Sequence, residues 1–301
     1  MEKIFFKLGD NIPSLGEKSA LMLGTFDGFH KGHLSLLEET LNFKESAILL
    51  FEKNYSELFS TAKEKRVLMS LEDKLNFLNH YSLSRVYILQ NEASFFSLSK
   101  EDFIKGILLK IAPKNVVIGE DYTFGKDGEG KEKDLKEYFN VISLPLLNDE
   151  EKKIGTERIK ASLKEGDIQK ANFLLLRPYE IHGKIVKGFQ NGRKISFPTA
   201  NLDLSIDYLL PKRGVYGGIS YLRGMPYKCI INVGEAPTVG KLKKEIVEVY
   251  LDGFIGNCYE ETLYVDFLFF IREEKQFASL DMLKNQLQKD LETMRKELTN
   301  L

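Results

Sequence analysis

Little in this sequence is extreme, and each shortage removes a class of function. It has only two cysteines, Cys229 and Cys258. That is too few for a disulfide framework or a zinc cluster, and they read as small apolar fillers in a reducing compartment. Neither sign of charge is in excess: 43 Lys and Arg against 44 Asp and Glu leave a formal charge of −1. No net field draws the chain to nucleic acid or to an anionic membrane, so neither is expected as a partner. No apolar run approaches the roughly 20 residues of a spanning helix. The first residues, Met1-Glu2-Lys3-Ile4-Phe5-Phe6-Lys7, lack the apolar core of a secretory signal. A soluble, cytoplasmic protein is expected. No internal repeat or low-complexity segment interrupts the 301 residues, a length that suits two domains.

The texture changes once along the chain. From 20 to 145, short apolar runs suited to buried strands (Ala47–Phe51, Arg85–Leu89, Asn115–Ile118, Val141–Leu144) alternate with helical patterns. In one pattern Phe103, Ile104, Ile107, Leu108 and Ile111 recur at helical spacing; in another Leu71, Leu75 and Leu78 do. That alternation predicts an α/β domain, a parallel sheet with helices on both faces. Thr156 to Leu176 reads as two short helices, and Arg177-Pro178-Tyr179 breaks the pattern. Afterwards β-rich runs (Ile181–Val186, Val215–Tyr221, Tyr227–Asn232, Ile246–Leu251, Thr262–Ile271) follow one another between Gly, Pro, Asp and Asn clusters. They predict an all-β antiparallel barrel, closed by a helix from Leu280 to Leu298 with one apolar stripe. The expected domains are 1–180 and 181–301.

The most informative stretch is Gly24-Thr25-Phe26-Asp27-Gly28-Phe29-His30-Lys31-Gly32-His33, between the apolar run Ala20–Leu23 and a helix-like segment. Strand, glycine-rich turn and helix in that order present a helix N-terminus, whose unpaired N–H groups and partial positive charge attract phosphate. His30 and His33 stand there, placed to donate hydrogen bonds to phosphoryl oxygens as charge develops. In a parallel sheet this turn lies at the carboxyl end of a strand, where such sheets bind ligands. A surface turn with two solvated histidines is the alternative.

The second half holds Gly192-Arg193-Lys194-Ile195-Ser196-Phe197-Pro198-Thr199-Ala200-Asn201. In an extended segment Thr199 and Asn201 point to the same side. A hydroxyl and an amide oxygen are hard ligands, of the kind Mg²⁺ takes beside substrate phosphates; on the residues alone, a polar turn after Pro198 is the simpler reading. Glu248, on the otherwise apolar run Ile246–Tyr250, is either solvent-facing or a functional base. Gly125-Lys126-Asp127-Gly128-Glu129-Gly130-Lys131 has P-loop spacing up to its lysine. Glu132 then replaces the Ser or Thr that the motif needs, and two acids sit inside the loop, so a P-loop is rejected.

Taken together, these segments resemble the prokaryotic bifunctional riboflavin kinase/FAD synthetase family over residues 18–295. The match includes the histidine motif and Gly119-Glu120-Asp121-Tyr122-Thr123-Phe124-Gly125 in the first domain. In the second it includes Gly192-Arg193 through Asn201-Leu202, Gly214-Val215-Tyr216, Asn232-Val233-Gly234 with Pro237-Thr238, and Phe269-Phe270-Ile271-Arg272 with Phe277. The resemblance implies a Rossmann-like nucleotidylyltransferase domain and a riboflavin-kinase split β-barrel. It also implies phosphorylation of riboflavin to FMN, then transfer of AMP from a second ATP to FMN, giving FAD and pyrophosphate. By the same resemblance, Gly24, Phe26, Asp27, Gly28, Gly32, Thr156, Arg158 and Lys160 handle ATP phosphates around His30 and His33. Asp121, Phe124 and Arg272 meet flavin. Gly192, Arg193 and Pro198 bind ATP in the kinase site, Thr199 and Asn201 hold its Mg²⁺, and Glu248 accepts the proton of the ribityl 5′-hydroxyl. The small molecules riboflavin, FMN and ATP are the expected partners.

The departures cluster in the first domain. The family's Phe-x-Pro-His-Pro reads Phe51-Glu52-Lys53-Asn54-Tyr55 here, and its Ser-Ser-Thr-Arg-Ile-Arg reads Gly155-Thr156-Glu157-Arg158-Ile159-Lys160. Glu157 brings a carboxylate where a hydroxyl is expected, and Lys160 loses the planar fork of arginine. A kinase whose adenylyltransferase half is weakened or lost is therefore the alternative function. A flavin- or nucleotide-binding regulator without turnover is a third.

Overall fold

The apolar runs of the first half pair as parallel strands. The computed structural model describes residues 1–53, 58, 65–187, 197–237 and 243–299. Its first sheet contains β1 (Glu2–Phe6), β2 (Ser19–Met22), β3 (Glu45–Phe51), β4 (Arg85–Leu89), β5 (Asn115–Gly119) and β6 (Asn140–Leu144). They lie in the order β1-β4-β3-β2-β5-β6, every pair parallel. β1 was not predicted: its residues are mostly exposed, so the edge strand lacks the buried apolar run that marks the others.

Apolar residues cover both faces of the sheet, as a parallel sheet requires. Phe103, Ile104, Ile107, Leu108 and Ile111 pack on one face with Leu21, Leu49 and Tyr87. Leu36, Leu37, Leu75 and Leu78 pack on the other with Met22, Ile48 and Val86. The helix Leu71–Leu78 starts at a capping box between Ser70 and Asp73, which satisfies donors the first turn leaves open. A two-residue ribbon, β7 (Asn148–Asp149) with β8 (Lys152–Lys153), follows the sheet.

The second half closes into a barrel of β9 (Tyr179–Val186), β10 (Ala200–Asp203), β11 (Gly214–Leu222), β12 (Met225–Pro237), β13 (Lys243–Leu251) and β14 (Thr262–Arg272). The order is β10-β13-β12-β11-β14-β9, with β9 pairing back onto β10. Closure leaves no open edge. Val247, Val249 and Leu251 are buried while their neighbours on β13 are only half-buried. The helix Leu280–Glu297 covers part of the barrel's outer face, setting Leu283, Leu287, Leu291 and Met294 against Val215, Ile230 and Phe269.

The chain divides into two compact units, Met1–Thr156 and Glu157–Leu301. The change of texture suggests a later division, near 180; the difference is the helices Thr156–Glu165 and Ile168–Leu175. The second of them packs on β14 and β9: Asn172 donates to the Phe267 carbonyl at 2.8 Å, and its own Oδ1 accepts from the Tyr179 N–H at 2.8 Å.

Candidate active sites

The histidine motif leaves the end of β2, and β3 and β5 flank that strand on opposite sides. This is the switch point of the sheet, where ligands of such folds enter. Three residues of the turn have left-handed backbone: Phe26 (φ 50°), Gly28 (φ 97°) and Phe29 (φ 43°). Glycine takes that conformation freely, but each phenylalanine carries a cost of about 1–2 kcal/mol. Complete burial of both rings, stacked at 5.5 Å, offsets it.

His30 is the N-cap of the helix Lys31–Leu41, and its Nδ1 accepts from the His33 N–H. An Nδ1 that accepts leaves the imidazole proton on Nε2. The His30 and His33 rings stack at 3.7 Å, and His33 meets the edges of Phe26 and Phe29. The motif thus builds a rigid imidazole pair at a positive helix end.

Other predicted residues support this turn rather than forming its surface. The Phe26 side chain belongs to the core. The carboxylate of Asp27, 8% exposed, accepts from the Leu68 N–H at 2.9 Å, and its carbonyl accepts from the Thr156 hydroxyl at 3.0 Å. Gly24 and Gly32 bracket the turn. Asp121 and Phe124 lie on the loop after β5, the strand next to β2. Asp121 is ion-paired with Lys153, and Phe124, 5% exposed, packs its ring against Phe103 and Tyr122 within the core. Arg158 and Lys160 stand on the helix Thr156–Glu165 and belong to the second unit. Glu157 occupies the first turn of that helix, where a carboxylate is favoured by the helix dipole. Among the departures, the end of β3 is pinned by Asn91, whose amide bonds both the N–H and the carbonyl of Lys53. Asn54 and Tyr55 lie outside the described residues.

In the barrel, register assembles the site. Asn201 of β10 lies directly opposite Glu248 of β13, and Glu248 lies opposite Asn232 of β12. Directly opposed side chains share a face, so the three form one row across three strands. The amides of Asn201 and Asn232, each opposite Glu248 in the ladder, favour the charged form of its carboxyl. Burial pushes the Glu248 carboxyl above the usual carboxylate range, the two amides pull it back, and the nearby Glu274 carboxylate pushes it up again. The face that Glu248 shares with Ile246 and Tyr250 is the half-buried outer one.

Thr199 is exposed two residues before Asn201 and, with Pro198, lines a cavity of about 280 Å³ whose other walls include Ala200, Val249, Leu251, Phe254 and Tyr259. Gly192 and Arg193 lie outside the described residues. The row continues through Val215, opposite Asn232, to Arg272, opposite Val215. Arg272 does not present a free guanidinium there. Its Nε and Nη2 bond both oxygens of Asp290 on the terminal helix at 2.8–3.1 Å, its Nη1 donates to the Glu273 carbonyl, and Asp290 is 1% exposed. Sequence reasoning missed Asn232 and Asp290 as members of the site. Asn232 stands in a quoted motif, but nothing in the sequence reveals that it faces Glu248.

A family model described as riboflavin kinase matches residues 175–298, and one described as FAD synthetase matches residues 12–162. The bifunctional riboflavin kinase/FMN adenylyltransferase of Bacillus subtilis (strain 168) is 31% identical over 296 residues, covering 94% of this chain and 94% of its own. That of Escherichia coli (strain K12) is 32% identical over 291 residues, covering 93% and 92%. The solved structure of a macrolide-efflux protein from Streptococcus pneumoniae matches with a TM-score of 0.87 at 29% identity, covering 98% of this chain and 99% of that one. Among the described residues, no helix is long and apolar enough to cross a membrane.

Proposed function

The chain belongs to the bifunctional riboflavin kinase/FMN adenylyltransferase family, and from that premise we propose how its residues divide the two reactions. It phosphorylates riboflavin to FMN with ATP and adenylylates FMN to FAD. The observation that carries the kinase assignment is the row Asn201–Glu248–Asn232. Glu248 takes the proton of the ribityl 5′-hydroxyl while that oxygen attacks the γ-phosphorus of ATP and ADP leaves. Partial burial makes this carboxylate more basic than a solvated one, which suits it to the task. The nucleotide occupies the cavity lined by Pro198 and Thr199.

The donor set beside that cavity fits Mg²⁺. Thr199 supplies a hydroxyl and Asn201 an amide oxygen, while the nitrogen of the same Asn201 amide can turn to Glu248 opposite it. Bound there, the ion would neutralise phosphate charge. Thr199 and Asn201 would hold it.

In the first unit the FMN phosphate attacks the α-phosphorus of ATP and pyrophosphate leaves. The turn at His30 positions the reacting phosphates, and the Nε2 proton of His30 bonds a phosphoryl oxygen as charge accumulates. Glu157 has a structural role at its helix start, which favours the bifunctional reading over one in which this half is lost. Neither cysteine forms a disulfide, and Cys229 is buried, in keeping with the reducing cytoplasm, where we place the protein.

Glu248→Gln tests the assignment. It keeps the shape and removes the base, so FMN formation should fall by roughly 100- to 10,000-fold while FAD formation from supplied FMN continues. Chromatography of flavins after incubation with Mg–ATP reads both steps. Undiminished FMN formation would remove Glu248 from the mechanism.

A further inference from the structure

Glu248 reaches its site on three rotatable side-chain bonds, and as a base it needs one oxygen aimed at the hydroxyl. The two amides that lie opposite it on the flanking strands are not equivalent. Asn201 follows Thr199 at the cavity rim and has its own oxygen committed, in the reading above, to the Mg–nucleotide. Asn232 is half-buried like Asn201, but its strand lies against the terminal helix. Its outward neighbours Ile230 and Val215 are buried against the terminal helix. Two residues on, Gly234 has no side chain, and a Cβ there would stand 2.5 Å from Glu274 Oε1 and 3.5 Å from the Asn232 amide nitrogen. The chain is bare at the point where the amide and a second carboxylate come together.

We propose that Asn232 is a positioning residue for the kinase step: across the β12–β13 pair, its amide fixes the Glu248 carboxylate so that one oxygen faces the ribityl hydroxyl whether or not nucleotide is bound. The proposal rests on Glu248 being the base. A carboxylate has about four acceptor positions, and amides from the two flanking strands restrict its rotation while leaving positions for the substrate proton. Asn232 touches neither substrate nor metal in this role. It acts through Glu248, and its removal should appear in turnover rather than in binding.

The test is steady-state riboflavin phosphorylation by the full chain carrying Asn232→Ala, Asn232→Asp, Glu248→Gln, or Asn232→Ala with Glu248→Gln. Asn232→Ala should lower kcat by roughly 10- to 100-fold, the scale of a misplaced reacting group, with KM for riboflavin and Mg–ATP within about twofold. Asn232→Asp keeps the size and loses the donor, so it should lower kcat at least as far; it carries the test if the alanine variant does not fold. The double variant should be no slower than Glu248→Gln alone, because Asn232 has nothing left to position. Full kcat in Asn232→Asp, or losses that multiply in the double variant, would overturn the proposal while leaving Glu248 as the base. Full activity of Glu248→Gln would instead sink the reading on which it rests.

Discussion

The two proposed sites rest on different kinds of backbone. In the first unit the groups come from a single turn, residues 24–33, held by left-handed phenylalanines and a helix cap. In the second they come from three strands, one side chain from each, aligned by ladder register and backed by the terminal helix. The turn's groups are neighbours in the chain, and distant residues such as Leu68 and Thr156 only brace it through Asp27. A row across a barrel depends on closure, and a residue that meets no substrate can still decide whether the row forms.

That contrast predicts its largest effect at the Arg272–Asp290 clasp. Arg272→Ala leaves a buried carboxylate without its cation, a loss of about 3–5 kcal/mol, read as a lower urea midpoint for the barrel. FMN formation should fall with it, while FAD formation from supplied FMN should survive until the barrel unfolds. Arg272→Met with Asp290→Leu should recover most of the stability. If Arg272→Ala raises the KM for riboflavin at unchanged stability, Arg272 is a flavin ligand first and a clasp second.

At the turn, His30→Ala should slow FAD formation by roughly 100-fold, as when one transition-state donor is removed. The lost cap should cost only about 1 kcal/mol, and FMN formation should be untouched. A loss confined to stability would leave His30 a cap and nothing more.

The smallest effect separates the barrel's stability from its chemistry. Asp266 lies on β14 opposite Glu180, and burial pushes its carboxyl up to about 6 against the pull of Arg177. Unfolded, it titrates near its ordinary value of 3.8. Between those values the folded state binds more protons, so this contribution is full at lower pH and is lost as pH rises through about 6. It amounts to at most about 3 kcal/mol. Asp266→Asn should therefore raise the urea midpoint at pH 8 relative to wild type and flatten its decline above pH 4. A less stable variant at pH 8 would mean the carboxylate is held there by a favourable contact.

How much of this was legible in the sequence differs between the sites for the same reason. His30, His33 and Gly28 are neighbours in the chain, so spacing alone places them on one turn. Glu248 could not be decided between a solvated and a functional residue, because its partners Asn201 and Asn232 lie 47 and 16 positions earlier and only strand register brings them together. A one-residue slip would send each to the opposite face. Arg272 shows the converse: its motif suggested flavin, and its partner Asp290, 18 residues later, is visible only once the helix is folded onto the barrel. Short β10 and exposed β1 escaped prediction because neither carries a long apolar run.

Two sites in two units, linked by a diffusible product, is the central claim, and mixing two variants tests it most directly. Glu248→Gln alone should leave riboflavin unconverted, and His30→Ala with His33→Ala should stop at FMN. Combined in one tube with riboflavin and Mg–ATP, they should produce FAD, the second protein supplying FMN to the first. No FAD from the mixture, or loss of both steps in either variant alone, would contradict the account.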